Sequence, residues 1–344
     1  MYKNGERMMA WIAKIDKVER HPNADSLDIC TVGGWNCITK LGEFNQGDLV
    51  IYVSIDSFIP HEIAPFLSKG KEPREYEGVK GERLRTVKLK GQISQGLLLP
   101  LEPTCSMIES ELLEGLDISN HLNIQKYEPP IPAQLAGLIK GNFPSRIPKT
   151  DQERIQNLSK EFIQWKEQGL TFEITEKCDG SSMTCYVIDN EFGVCSRNLD
   201  LKFDENNTFW KVAIANNFEE KLKSFGKNIA IQGELIGMGV NGNIYKMNNH
   251  KFVLFDIYDI DEGRYFNSEE RNEFAADFDI EHVPVIRFNS LVEFNDIQCV
   301  LTFAEGKSII NPVVEREGLV FKCVENPDIS FKSISNRFLI KNGD

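Results

Sequence analysis

FEITEKCDGSSMTCYVI (172–188) is the stretch that decides the fold of this chain. Phe172 and Ile174 alternate with Glu173, Thr175 and Lys177, and a second β-prone run follows from Ser181, so each half reads as a β-strand. The Asp179–Gly180 pair between them is a strong short-range turn signal, and the expectation is a tight hairpin. Glu173, Thr175 and Lys177 share one strand face, which leaves Lys177 at the end of its strand facing a cleft or solvent.

The ordinary outcome for such a lysine is an exposed ion pair. A nucleophilic lysine needs more. Its ammonium has a pKa of about 10.4, and nearby carboxylates alone hold the proton more firmly. A divalent cation held by those carboxylates reverses the sign and favours the neutral amine. The nucleophile reading therefore predicts further carboxylates, from other strands, gathered round a metal.

Such residues are present. Glu234 interrupts the apolar strand NIAIQGELIG (228–237), on the face opposite Ile229, Ile231 and Leu235. An acid buried there is costly without a partner or a function. Glu317 opens EGLVFKC (317–323), in which Lys322 follows, and Lys332 lies in ISFKS (329–333). Each alone is an ordinary strand-end charge; together they come from successive strands in a fixed order.

Composition sets the frame. A chain of 344 residues with 41% hydrophobic and 26% charged residues is long enough for two globular domains. No apolar run approaches the roughly 18 residues of a membrane span, and MYKNGERMMAWIAKID lacks the features of a signal peptide, so a cytoplasmic location is expected. The cysteines, at 30, 37, 105, 178, 185, 195, 299 and 323, form no Cys-x-x-Cys pair and read as reduced thiols rather than a zinc site. A formal charge of −13 argues against bulk attraction to nucleic acid and leaves local basic stripes open.

Residues 1–126 hold short strand candidates, LDICTVGGWNCITK (27–40), DLVIYVSI (48–55), RLRTVKLKG (83–91) and GLLLPL (96–101), consistent with an OB-fold β-barrel. Residues 127–150, with five prolines, read as a linker. From 151 to 344 the pattern is α+β with antiparallel sheets. It opens with an amphipathic helix in DQERIQNLSKEFIQWKEQG (151–169), Asp151 serving as its cap, and has further helices at 208–225 and 268–277. KGERLRTVKLKGQISQG (80–96) carries five basic residues and one acid between Lys80 and Lys90. Arg83, Arg85, Lys88 and Lys90 are the candidate nucleic-acid contacts, with Val87 and Leu89 on the other strand face.

In their order these elements resemble the covalent nucleotidyltransferase superfamily of polynucleotide ligases and capping enzymes. KCDG (177–180) looks like motif I, SRN (196–198) like the Ser-Arg-Asn element of RNA ligases, and QGEL (232–235) like motif III. FVLFDIYDI (252–260), EGLVFK (317–322) and SFKSIS (330–335) resemble motifs IIIa, IV and V. With no room for a further domain after motif V and a β-rich segment in front, the chain is similar to the RNA ligases whose OB domain precedes the nucleotidyltransferase domain. HPNADSLDICTVGGW (21–35) is similar to the tRNA-binding OB module of some synthetases, and is read as a shared barrel strand and turn without tRNA specificity.

The resemblance implies an ATP-dependent RNA ligase that joins 3′-hydroxyl and 5′-phosphate RNA ends in RNA repair, through AMP bound covalently to Lys177. Asp179, Glu234 and Glu317 would hold Mg²⁺ or Mn²⁺ through waters, and Lys332 would stabilise the α-phosphate, with Lys322 and Lys341 as candidate auxiliaries. Thr175, Glu176 and Arg197 would line the nucleotide site, and Phe255 and Val320 would sandwich the adenine. RNA and ATP are the expected partners, and a monomer the expected state. The alternatives are a DNA-joining ligase of the same chemistry and a non-catalytic OB-type RNA-binding protein; the intact Lys177, Asp179, Glu234, Glu317 and Lys332 count against the second.

Overall fold

The lysine-bearing strand and its successor do not pair. Thr171–Lys177 lies in a five-stranded sheet and Ser181–Ile188 in a separate seven-stranded one, so residues 178–180 carry the chain from one sheet to the other. The expected hairpin is therefore wrong. Gly180 is not among the positive-φ glycines that a primed hairpin turn would use. It is needed for space: a Cβ there would lie 2.4 Å from the Leu235 carbonyl oxygen and 2.9 Å from Glu234 Cγ.

The computed structural model describes residues 2–3, 6–102, 112–128 and 137–342. Residues 129–136 of the expected linker, and Cys105, lie outside the described set. Contacts divide the chain into two units, one of described residues within 1–130, 156–159 and 339–344, the other within 131–155 and 160–338.

In the first unit, strands Ala10–Lys14, Leu49–Val53 and Leu97–Leu99 form one antiparallel sheet, and Lys17–Arg20, Leu27–Val32 and Trp35–Lys40 another. Among the described residues no ladder closes into a full ring, as in the partly open barrel of an OB-fold. The first sheet is buried on both faces. Trp11, Ala13, Val50 and Tyr52 enter a core with Cys30 and Trp35, while Ala10, Ile12, Ile51 and Val53 enter a second with Ile59, Leu84 and Ile124. Two buried faces fit the unbroken apolar run from Ala10 to Ala13. The His-Pro-Asn turn has a structural task here. His21, 5% exposed, accepts the Asn23 N–H at Nδ1 and contacts the Leu89 carbonyl through Nε2, and Asn23 donates to the Lys90 carbonyl. Both contacts fasten the Val87–Leu89/Gln92–Ser94 hairpin.

The strands of the second unit are labelled in chain order: β1 Ile139–Asn142, β2 Glu153–Arg154, β3 Thr171–Lys177, β4 Ser181–Ile188, β5 Glu191–Cys195, β6 Leu199–Leu201, β7 Ile229–Gly237, β8 His250–Asp259, β9 Arg264–Tyr265, β10 Val285–Ser290, β11 Gly318–Cys323 and β12 Ser330–Ile334. The seven-stranded sheet runs β1-β6-β5-β4-β7-β8-β9 and the five-stranded sheet β2-β12-β11-β3-β10. One face of the smaller sheet is aromatic. Phe172, Phe321 and Phe331 pack together there, Phe321 stacking on Phe331 at 4.6 Å between centroids and Trp165 on Phe331 at 5.8 Å. Lys177 and Val320 occupy the opposite face by strand alternation.

Three helix expectations need comment. The first helix spans only Ser159–Glu167, because Glu153–Arg154 is drawn into a parallel pairing with β12; Asp151 does not cap it and instead pairs with Arg197. Asn217, left-handed at φ 52°, splits the 208–225 segment into Thr208–Ala215 and Phe218–Phe225. Ser268–Asp277 forms as expected, with a capping box between Asn267 and Glu270.

Candidate active site

Lys177 ends β3 beside the start of β11, its Cα opposite Gly318. That register sets its ammonium 2.7 Å from both carboxylate oxygens of Glu317. Glu234 comes from β7, in the other sheet, where its Cα faces Ser182 and Val253. Asp179 sits in the crossing segment, its N–H donating to Tyr245 Oη at 2.8 Å and its Oδ1 accepting from Asn241 at 3.1 Å. Lys332, on β12, pairs with Val320 on one side and with Arg154 of β2 on the other.

Charge and burial pull these groups in opposite directions. Burial works against the Lys177 charge, but Glu317, Glu234 and Asp179 outweigh it and hold the pKa above the ordinary lysine value. Burial, reinforced by Glu317 and Asp179, pushes the Glu234 carboxyl up to about 8. Lys332 moves the other way, to about 7, because it is buried and then because Lys177 and Arg154 are cationic. The site thus holds more negative charge than it can comfortably ionise, next to an amine near neutrality.

Phe255 owes its position to a bulge. Gln232 pairs with Asp256 but Gly233 with Leu254, so Phe255 is the extra residue on β8. The irregularity lets Phe255 and Asp256 face the smaller sheet together. Lys322 of β11 reaches across, donating to the Phe255 carbonyl and pairing with Asp256 Oδ1 at 2.5 Å. Its ammonium is buried and lies 5.8 Å from the centre of the Phe255 ring. Burial lowers its pKa to about 8 despite Asp256. Behind it, Arg271 pairs with the fully buried Glu173 and donates from Nε to His282 Nε2 at 3.0 Å. Lys322 is thus placed as a strut between sheets, away from Lys177.

The remaining candidates scatter. Thr175 is buried between Glu173 and Lys177 on their strand face, opposite Val320 in the ladder. Glu176 points the other way, its carboxylate accepting the Ile309 N–H at 2.7 Å, so only its backbone can border the site. Arg197 is exposed and pairs with Asp151 at 2.7 Å. Lys341 is exposed in the last turn of the helix Asn336–Asn342. In the first unit Arg83 is committed to Asp56 at 2.5 Å and lies over the Tyr127 ring. Arg85, Lys88 and Lys90 are exposed, and so are Val87 and Leu89, at 44% and 41%. Sequence reasoning passed over Arg154, hidden in a presumed helix, and Asn241, Tyr245 and Asp256, which no periodicity marks.

A family model described as RNA ligase matches residues 170–341, the segment that contains every one of these groups from Thr175 to Lys341. The chain belongs to the RNA ligase family. An OB-fold domain model matches residues 9–101 of the ligase. The Naegleria gruberi RNA ligase with PPi is 41% identical over 97% of this chain and 98% of that one, with a TM-score of 0.86. A variant of the same protein with ATP and Mn is 40% identical over the same shares, at 0.86, and another with AMP and Mn is 41% identical over 97% and 98%, at 0.88. No curated protein sequence matches the chain. Among the described residues no helix of the ligase is long and apolar enough to cross a membrane.

Proposed function

We propose that this ligase is ATP-dependent and joins RNA 3′-hydroxyl and 5′-phosphate ends through a lysyl-AMP intermediate on Lys177. The supporting observation is the Lys177 ammonium held by Glu317, with Glu234 and Asp179 close enough to bias its charge. The similar Naegleria structures with ATP, AMP and Mn support the same choice of nucleotide and of a divalent cation.

Fit to a metal rests on the donor set. Asp179, Glu234 and Glu317 offer hard oxygens in a site with excess negative charge. Mg²⁺ gives up its water reluctantly, so these carboxylates would hold such an ion through water. Such an ion would offset the carboxylates, favour the neutral amine and draw charge from the α-phosphate.

The residues then have definable tasks. Glu317 holds Lys177 as an ion pair until the amine gives up its proton. Nζ bonds to the ATP α-phosphorus as the bond from that phosphorus to the bridging oxygen breaks, and pyrophosphate leaves. A 5′-phosphate oxygen next takes the AMP from nitrogen, and a 3′-hydroxyl finally displaces AMP to close the strand. Lys332, backed by Arg154, faces charge that grows on the α-phosphate. Phe255 and Val320 flank the adenine, Thr175 and the Glu176 backbone border it, and Arg197 engages the ribose or phosphates. Lys322 fixes the Phe255 backbone instead of touching phosphate. Arg85, Lys88 and Lys90 contact the RNA backbone; Arg83 is held by Asp56. A cytoplasmic monomer is the working state; the described cysteines, all unbridged, accord with a reducing compartment.

Incubation with Mg²⁺ or Mn²⁺ and α-labelled ATP or GTP tests the chemistry. Label should enter the denatured protein from ATP and vanish in Lys177→Ala. An adduct that survives that substitution, or one formed only from GTP, overturns the proposal.

A further inference from the structure

Residues 178–180 lie between two sheets, so neither ladder fixes the segment that carries Asp179 and starts from the nucleophile. Their backbone groups must find partners elsewhere. Two of them, the Asp179 N–H and the Gly180 carbonyl, find them in one loop, residues 238–249, between β7 and β8. The Asp179 N–H donates to Tyr245 Oη at 2.8 Å. The Asn241 side-chain amide donates to the Gly180 carbonyl at 2.5 Å and to Asp179 Oδ1 at 3.1 Å.

The loop is built to hold that shape. Gly237, Gly239, Asn241, Gly242, Asn243 and Lys246 all have positive φ, winding the chain tightly after β7. Asn243 closes the loop on itself, bonding both the carbonyl and the N–H of Met247. Tyr245 is 3% exposed, and its carbonyl accepts from Asn311 at 2.9 Å. The same 308–311 turn donates the Ile309 N–H to Glu176. The residues before and after Lys177 are therefore each tied to a loop, and the two loops are tied to one another.

We propose that Tyr245 and Asn241 are positioning residues for adenylylation, acting through the Asp179–Gly180 backbone to fix the direction from which Lys177 attacks. This rests on the reading of Lys177 as the nucleophile. In-line attack is sensitive to placement: an error of about 1 Å can cost about 10²-fold in rate. The phenol oxygen and the side-chain amide bond the turn itself, so their loss acts on the rate more than on binding.

The test pairs two measurements. In the protein without ATP or metal, hydrogen–deuterium exchange at residues 178–180 should quicken at least tenfold in Tyr245→Phe, with β7 unchanged. In single-turnover adenylylation with Mg²⁺, the same variant should lose about tenfold to a hundredfold in maximal rate, with half-saturating ATP within threefold of the parent. Asn241→Ala, an exposed site whose truncation leaves the core intact, should show the same split to a smaller degree. Unchanged exchange at 178–180 in both variants overturns the clamp, as does a parent-like rate or a loss confined to ATP affinity. Exchange that rises throughout the unit marks Tyr245 as merely structural, and Asn241→Ala then decides. If the parent forms no lysyl adduct at all, the proposed chemistry fails, while the exchange result still shows whether the loop holds the turn.

Discussion

Removing Asp256 should reveal the strut between the sheets. Lys322 is buried, and Asp256 is its carboxylate partner at 2.5 Å. Asp256→Ala strips a buried lysine of its counter-charge, and losing one member of a buried pair costs about 3–5 kcal/mol. The pH dependence follows from the parent value of about 8, already lowered by burial. Without Asp256 the folded lysine falls lower still and is neutral at pH 7, whereas the unfolded lysine stays charged to about 10.4. The variant then gains stability as pH rises, at about 1.4 kcal/mol per unit, while the parent, charged in both states below pH 8, does not. The penalty should therefore shrink by about 1.4 kcal/mol from pH 7 to 8 and level off above that, where the parent also loses its proton. Urea unfolding at pH 6.5, 7, 8 and 9, read by far-UV circular dichroism, measures it. A second variant, Asp256→Leu with Lys322→Met, should recover most of the stability because no charge remains buried. It should not recover adenylylation at low ATP, since nothing then ties the Phe255 carbonyl to β11. A penalty below about 1 kcal/mol at pH 7, or one that does not fall by pH 8, refutes the reasoning.

Three further outcomes are expected. Gly180→Ala drives a methyl group toward the Leu235 carbonyl, 2.4 Å away, and should cut lysyl-AMP formation at least tenfold, measured as label per mole of protein. His282, held near pKa 4 chiefly by burial and then by Arg271, binds its proton more readily unfolded than folded. Stability should fall as pH drops from 6.5 toward 4, and His282→Asn should flatten that slope in thermal unfolding. Lys88→Glu with Lys90→Glu should weaken RNA binding and shallow its salt dependence, read by fluorescence anisotropy at several KCl concentrations, with adduct formation from ATP unchanged.

Much of the site was legible because strand alternation is a local property. Glu173, Thr175 and Lys177 share a face in the structure as in the sequence, and Glu234 stands opposite its apolar neighbours. What the sequence could not give was pairing. Asp-Gly between two strands is equally compatible with a hairpin and with a crossing between sheets, and the sheet that each strand joins distinguishes them. The helix expected from residue 151 failed for a similar reason. Ile155, Leu158, Phe162 and Trp165 keep helical spacing, yet a tertiary partner, β12, claims Glu153 and Arg154. Phe255 and Asp256 share a side only because a bulge breaks the two-residue period, and the ammonium of Lys322, expected as a candidate auxiliary to Lys332, pairs with Asp256. Arg83 sat in a basic stripe whose one acid gave no hint of Asp56, 27 positions away.

The pairing of β3 with β11 bears on how the protein is made. Lys177 and its carboxylate partner are 140 positions apart, and the strand that brings them together is made long after the lysine. A nascent chain ending before Gly318 carries the lysine but not the partner strand, nor β12 with Lys332. Interrupted synthesis would thus yield fragments unable to charge themselves with nucleotide, and adenylylation would begin only once the whole catalytic unit has been made.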